Sequence, residues 1–181
     1  MRRYLDLSFC SQLTDRALRA LRPLQHLKAL HLDGVHRLTN AALCEALGET
    51  LSLRNPQRDL SDSLGSRLRH LWLDGESLTD DWLSKLLERL PKLEELALSF
   101  CENLTDRSLE TLLQHSRSRT PLKSLTLRKG FNLNDQRMEA LLLACPCLET
   151  LDLTECHRLG ARSGTDIPGG DTRIVEANEL G

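Results

Sequence analysis

Leucine recurs in a fixed pattern along most of this chain, first at every second position and then at helical spacing. In residues 93–121, Leu96 and Leu98 alternate with polar or small residues, which is typical of a short strand buried on one side. Farther along, Leu109 and Leu112 recur at an interval that places them on one face of a helix. The segment therefore predicts a strand, a turn and a helix, and neither regular element can bury its apolar side alone.

Copies of this unit occur on both sides of it. The first leucines of successive copies are 41, 25, 29 and 26 residues apart, at Leu27, Leu68, Leu93, Leu122 and Leu148. An earlier copy passes through Leu5 and Leu7, and the last copy is incomplete. Repeats of this length stack so that neighbouring units bury each other's apolar faces. We therefore predict one leucine-rich repeat array of about six repeats over residues 1–159.

The order of elements in each repeat predicts an α/β solenoid, a right-handed β-α superhelix. Because every crossover runs the same way round, successive strands pair in parallel. Paired strands lie about 4.8 Å apart, whereas packed helices need about 8 to 10 Å. The array must therefore bend, with a concave parallel sheet inside and convex helices outside.

Three stretches depart from the repeat pattern. Residues 51–67 lengthen the second repeat and predict a surface loop, either a tolerated insertion or a segment that contacts a partner. Residues 160–181 lose the apolar periodicity and predict a flexible tail outside the repeats. The chain opens inside a repeat, at the strand that includes Tyr4, so we expect an uncapped edge there and hypothesise that the chain is a fragment or a short isoform of a longer array.

The positions between the strand leucines point away from the core and form the concave face. On the first three strands these positions hold aromatic and imidazole groups bordered by carboxylates, and the far end carries the opposite charge. A tryptophan among polar groups resembles an interface anchor, although an outward row of a sheet also holds such residues without any binding role. The predicted protein-binding residues are Tyr4, Asp6, His31, Asp33, His70, Trp72, Asp74, Glu95 and Arg128.

Threonine precedes several predicted helices and is followed by aspartate or asparagine. This arrangement at Thr14, Thr79 and Thr105 predicts helix N-caps, because a side-chain oxygen accepts hydrogen bonds from the unpaired amides of the first turn. We interpret these pairs as caps and not as catalytic groups.

Three of the six cysteines occupy the same position of different repeats. We predict that Cys10, Cys101 and Cys156 are buried structural thiols rather than disulfide partners or metal ligands. Cys145 and Cys147 have no further cysteine or histidine at zinc-ligand spacing, so no metal is expected there.

Composition and motifs argue against several classes of function. The net charge of −2 and the isoelectric point of about 6.3 do not provide the basic face that nucleic acid requires. Ser8, His31 and Asp33 come near one another, but no oxyanion hole and no glycine-rich phosphate loop accompany them, so we expect neither enzymatic activity nor a cofactor. No apolar run is long enough for a signal peptide or a membrane span, and we expect a cytoplasmic or nuclear protein without a membrane partner.

The pattern LxxLxLSxCxxLTDxxLxxL in residues 4–21 and 93–112, together with ACPCLETLDLTEC in residues 144–156, resembles the cysteine-containing subclass of leucine-rich repeats. This subclass is best known from the F-box and leucine-rich repeat proteins, in which the array recognises a substrate protein. An upstream F-box in that family docks on the Skp adaptor of an SCF-type cullin-RING ubiquitin ligase. The resemblance therefore implies that the array selects substrates for ubiquitination.

The sequence departs from that family in one respect, because residues 1–181 include no F-box ahead of the repeats. Skp and cullin are therefore expected as partners only of a longer form that contains one. The alternative is a free-standing leucine-rich repeat scaffold or assembly factor with no link to a ubiquitin ligase.

Overall fold

Strands and helices alternate along the chain in the computed structural model, which describes residues 3–24, 26–48, 63–74, 76–119, 122–129, 135–156 and 173–175. The strands are β1 (Tyr4–Asp6), β2 (Ala29–Leu32), β3 (His70–Asp74), β4 (Glu95–Ser99), β5 (Ser124–Leu127), β6 (Thr150–Asp152) and β7 (Arg173–Val175). The helices are α1 (Asp15–Arg19), α2 (Asn40–Leu47), α3 (Asp80–Glu88), α4 (Asp106–Ser118) and α5 (Asp135–Ala144), and a short 3-10 helix spans Gly65–Arg67 before β3.

The seven strands form a single parallel sheet in chain order. Its register places one leucine of each strand from β1 to β6 in a continuous row: Leu5, Leu30, Leu71, Leu96, Leu125 and Leu151. From β2 to β6 these side chains are at most 1% exposed, and they share one apolar core with leucines of the helices. The predicted leucine-rich repeat solenoid is confirmed.

The chain leaves its strands through a residue with a left-handed backbone. This conformation follows β1, β2, β4, β5 and β6, with φ of 59°, 69°, 59°, 57° and 61° at Phe9, Gly34, Phe100, Lys129 and Glu155. For residues other than glycine it costs roughly 1 to 2 kcal/mol. Phenylalanine, lysine and glutamate have no preference for it, so the path of the solenoid and not the local sequence decides the turn. Gly34 also lacks room for a side chain, because a Cβ would lie 2.6 Å from the ring of Phe9.

Aspartates in the first turn of two helices tie one repeat to the next. Asp80 accepts hydrogen bonds from the backbone amide of Thr105 at 2.9 Å and from its hydroxyl at 2.7 Å, and a third from the hydroxyl of Ser108. Asp15 holds Thr39 in the same way, with both distances at 2.8 Å. Each aspartate therefore fixes the start of the following helix.

The predicted N-caps form where such an aspartate holds the threonine. The hydroxyl of Thr39 accepts a hydrogen bond from the amide of Ala42, and that of Thr105 accepts one from Arg107, which confirms the capping role. The side chains of Thr14 and Thr79 make no capping hydrogen bond, so the prediction is wrong at these two positions.

A difference between repeats accompanies the missing cap at Thr79. In the preceding repeat the aspartate is replaced by Asn40, which hydrogen-bonds Ser77 instead of Thr79. Without an acceptor that orients its hydroxyl, the threonine does not cap the helix.

Two of the three aligned cysteines are buried as predicted. The thiol of Cys101 donates to the carbonyl of Leu98 at 3.2 Å, and that of Cys156 donates to Leu127 at 2.8 Å. Cys10 is exposed, so the prediction of a buried thiol is wrong there. Its repeat has a described neighbour on one side only, and the turn that contains it is less covered than the inner ones.

The end of the predicted insertion packs on the array. Residues 49–62 lie outside the described part of the chain, but Leu64 is buried in the core. Gly65 comes so close to the ends of two helices that a Cβ would lie 2.5 Å from the carbonyl oxygen of Arg89 and 2.9 Å from that of Leu47. The last residues of the insertion are therefore part of the solenoid.

Strand β7 lies in the stretch that the sequence predicts to be a flexible tail. It pairs in parallel with β6, so that prediction is wrong for Arg173–Val175. The open edge of β6 offers unpaired backbone groups, which an extended segment can satisfy without any leucine pattern. Residues 157–172 and 176–181 lie outside the described residues, and the domain limit at residue 159 stays a prediction.

Candidate protein-binding site

The open face of the sheet carries two rows of outward side chains. The register aligns Tyr4, Ala29, His70, Glu95, Ser124 and Thr150 in the first row and Asp6, His31, Trp72, Ala97, Thr126 and Asp152 in the second. These are the rows that the sequence predicts, because alternation along a strand assigns each side chain to a face once the leucines are buried.

Three rings from neighbouring strands pack against one another on this face. His31 lies in the middle, stacked on Trp72 with ring centroids 3.9 Å apart and an interplanar angle of 18°. On its other side Tyr4 contacts it edge-on, with centroids 4.8 Å apart and the hydroxyl oxygen 3.2 Å from Nδ1. His31 is only 7% exposed, whereas Tyr4 is 53% exposed. Tyr4 and the half-buried Trp72 are thus the rings that a partner can reach.

The environment of His31 favours its neutral form. Burial lowers the pKa of His31 because the charged imidazolium would lose hydration, and the nearby carboxylates of Asp6 and Glu95 offset this effect only in part. A neutral ring keeps the centre of the stack apolar at physiological pH.

Glu95 on β4 holds the other edge of the stack in place. One of its carboxylate oxygens accepts a hydrogen bond from the indole nitrogen of Trp72 at 2.6 Å. The other oxygen lies 2.7 Å from Nδ1 of His70. The indole is therefore fixed by stacking on one side and by a charge-assisted hydrogen bond at its edge.

Asp6 borders the rings on β1. Its carboxylate accepts hydrogen bonds from the backbone amide of Ser8 at 2.9 Å and from the hydroxyl of Tyr4 at 3.3 Å. The Ser8 amide is the main cause of the lowered pKa of Asp6, which keeps this carboxyl ionised. We call the set Tyr4, Asp6, His31, His70, Trp72 and Glu95 the aromatic-acidic patch.

The other three predicted site residues lie apart from this patch. Asp74, at the end of β3, lies beside His36 in a loop between repeats. Asp33 follows β2, where its carbonyl accepts a hydrogen bond from the Phe9 amide. Arg128 follows β5 and forms an ion pair with Asp152, with nitrogen to oxygen distances of 2.8 and 2.9 Å. The structure thus gathers six of the nine predicted residues, and a role in binding stays a prediction for all nine.

Two polar residues at the rim of the sheet escaped the sequence analysis. His36 and Glu76 lie in the loops after β2 and β3, outside the leucine pattern, and the His36 side chain approaches both Asp74 and Glu76. The available signal was the likeness of these loops, since the outward residues Asp33 and Asp74 are each followed by a glycine. That likeness does not say which side chains meet across repeats.

Comparison with known proteins agrees with the fold. Residues 89–113 and 144–167 match the family model described as Leucine Rich repeat. The second match extends beyond residue 159. Among the described residues, no helix has the length and apolar character needed to cross a membrane.

Two solved structures are similar to this chain. One is the crystal structure of a Rad7 and Elc1 complex in yeast, with 19% identity and a TM-score of 0.38 over 88% of this chain and 59% of that one. The other is the TLR13-ssRNA13 complex, with 18% identity and a TM-score of 0.41 over 75% of this chain and 24% of that one. This chain therefore spans less than two thirds of either. The chain carries leucine-rich repeats, and they build a solenoid with an open sheet face.

Proposed function

We propose that the aromatic-acidic patch binds a protein partner and that a basic side chain of this partner docks on it. The observation that carries the proposal is the three-ring stack with carboxylates at two of its edges. A lysine or arginine over an indole or phenol face gains cation-π attraction. Asp6 and Glu95 supply the negative charge that such a cation needs nearby.

The patch is ordered before any partner arrives. Trp72 is held by His31 and Glu95, and Tyr4 is held by His31 and Asp6. Binding therefore costs little side-chain entropy at these residues, and this cost is a main reason why many surfaces of similar area bind weakly. Rigid aromatic anchors of this kind carry most of the binding energy in protein interfaces.

The finer role that we propose is substrate recognition for an SCF-type cullin-RING ubiquitin ligase. Its support is the resemblance of residues 4–21, 93–112 and 144–156 to the cysteine-containing repeats of F-box and leucine-rich repeat proteins. In this proposal the patch holds the substrate, and Skp and cullin bind an F-box in a longer form.

A peptide array tests the binding proposal. Wild-type protein should retain peptides that combine lysine or arginine with apolar residues, and Trp72→Ala should weaken the binding of those peptides by at least about 30-fold, as expected of a hot spot. Glu95→Arg should reverse the preference toward acidic peptides. The matched control is Thr126→Ala, which lies in the same outward row two strands away and should leave binding unchanged. Equal retention of the same peptides by Trp72→Ala would contradict the proposal.

Co-purification tests the ligase role. The longer form should bring down Skp and cullin, and a protein captured through the patch should accumulate in cells when the proteasome is inhibited. The alternative is a captured protein that binds stoichiometrically and whose abundance does not change on proteasome inhibition. That result would indicate a free-standing scaffold.

A further inference from the structure

Three side chains of the types that can coordinate metal ions converge at the rim of the sheet, and they come from two neighbouring repeats. His36 lies in the loop after β2, Asp74 ends β3, and Glu76 lies in the following loop. Nδ1 of His36 is 3.1 Å from a carboxylate oxygen of Asp74 and 3.8 Å from one of Glu76. One possible ligand atom from each of the three lies within 4.8 Å of the others.

Asp74 is the unusual member of this group. Its side chain is only 6% exposed, and neither carboxylate oxygen makes a hydrogen bond of acceptable geometry with the described residues, although His36 is close. A buried carboxylate without a good hydrogen bond is costly and calls for a partner such as a cation.

The three side chains line a cleft between the two loops. Its volume is about 100 Å³, and its floor includes Leu32 and Leu73. An ion with one or two waters fits this space, because a water molecule occupies about 30 Å³ in the liquid. The apolar floor lowers the local dielectric and strengthens the attraction between a cation and the carboxylates.

We propose that His36, Asp74 and Glu76 form a binding site for one divalent transition-metal ion, with Zn²⁺ as the best fit. Zn²⁺ accepts both imidazole nitrogen and carboxylate oxygen at about 2.0 to 2.2 Å, whereas Mg²⁺ and Ca²⁺ prefer oxygen ligands alone. Two ligands at that distance from one ion lie roughly 3 Å apart, which matches the 3.1 Å between His36 and Asp74. Glu76 is 61% exposed and is free to close the remaining gap.

The site would cross-link the second and third repeats outside the sheet. Three protein ligands leave at least one coordination position for water or for a partner's side chain. The site is separate from the aromatic-acidic patch, and the proposal does not depend on what that patch binds.

Zinc titration of untagged, EDTA-treated protein tests the site. Because Cys10 and Cys147 are exposed thiols and free thiolates can coordinate zinc nonspecifically, the measurement uses the Cys10→Ser/Cys147→Ser protein as its reference. Calorimetry should show one Zn²⁺ per chain, and a hundredfold excess over Kd should raise the Tm by about 5 °C. Co²⁺ in place of Zn²⁺ should give a visible absorption band.

Glu76→Gln is the decisive variant, because Glu76 is exposed and its loss should not affect folding. It should weaken zinc binding by at least about 100-fold, since even outer-shell partners of a metal contribute 10- to 100-fold. His70→Gln is the matched control, because His70, on the same strand as Asp74, pairs with Glu95 of β4 without a third ligand. His70→Gln should leave the titration unchanged.

Two results would overturn the proposal. One is the absence of any zinc-dependent heat or Tm shift in the reference protein, which would leave His36, Asp74 and Glu76 as a plain ion-pair cluster. The other is zinc binding that Glu76→Gln does not weaken.

Discussion

The two faces of the parallel sheet differ in how constant their residues are from repeat to repeat, although both faces belong to the same strands. On the side that faces the helices, one position from β2 to β5 is always leucine: Leu30, Leu71, Leu96 and Leu125. The next position along each strand faces outward and is never the same residue twice: His31, Trp72, Ala97 and Thr126.

Packing explains this difference. An inward side chain contacts its own copies in the neighbouring repeats, so a change of size in one repeat would leave a void or a clash in the next. An outward side chain has solvent on one side and no such neighbour to match. The buried side can therefore specify only the architecture, and the open side is free to specify a partner.

The largest expected effect tests the buried side. Leu71→Ala removes a side chain that is 0% exposed at the centre of the row, and we expect the free energy of unfolding to fall by about 4 kcal/mol. Urea denaturation followed by circular dichroism measures it. A loss below about 1 kcal/mol would show that the row is not the continuous core described above.

His115 in α4 is a buried ionisable residue, unlike the apolar residues of the core. It should make the free energy of unfolding depend on pH. It is 7% exposed, and burial, assisted by Arg119, lowers its pKa to about 4. The unfolded chain takes up the proton near pH 6.5, before the folded protein does, so stability is complete above that pH and is lost as the pH falls toward 4. The loss should reach about 3 kcal/mol.

The measurement is urea unfolding at pH 7, 5.5 and 4.5, with His115→Leu as the comparison. Between pH 7 and 5.5 the variant should lose less stability than the wild-type protein, and the loss that remains includes the contribution of His31, whose pKa burial also lowers. A wild-type protein that keeps its full stability at pH 4.5 would contradict the buried, neutral state of His115.

A smaller effect is expected at the contacts between repeats. Burial would raise the pKa of Asp80, but hydrogen bonds from Ser108 and Thr105 outweigh it and keep the pKa below its usual value. Asp80→Ala leaves these donors unpaired, and Ser108 is only 1% exposed, so we expect a loss of about 2 kcal/mol in thermal or urea unfolding.

Asp81 provides the matched control for Asp80. It is the next residue of the same helix, and its ion pair with Arg107 is exposed on both sides. Asp81→Ala should change stability by less than about 0.5 kcal/mol. Similar losses for both variants would argue against the link between repeats.

The smallest effect is expected on the open side. Trp72→Ala alters the residue next to Leu71, but its side chain is only half-buried and faces away from the core. It should lower the free energy of unfolding by no more than about 1 kcal/mol while weakening partner binding by at least about 30-fold. A loss as large as that of Leu71→Ala would remove the distinction between the two sides.

The sequence by itself was sufficient to predict the solenoid and to identify the residues of the outward rows. Leucine spacing determines which side of each strand is buried, and alternation then assigns every other residue to the open face. Tyr4, His31 and Trp72 could therefore be placed on three neighbouring strands before any coordinates. The stacking of these rings and the hydrogen bonds of Glu95 depend on side-chain torsion angles. The periodicity of the sequence carries no information on those angles.

Only the tertiary structure decided the contacts that polar side chains and the last strand make with the neighbouring repeat. Asp80 bonds the cap of the following helix, His36 meets Asp74 and Glu76, and β7 joins the sheet without a leucine pattern. The physical reason is the same in each case. A repeat pattern records how each unit buries its own apolar side, whereas loops and polar side chains are positioned by the path of the neighbouring unit, which lies 23 or more residues away in the chain.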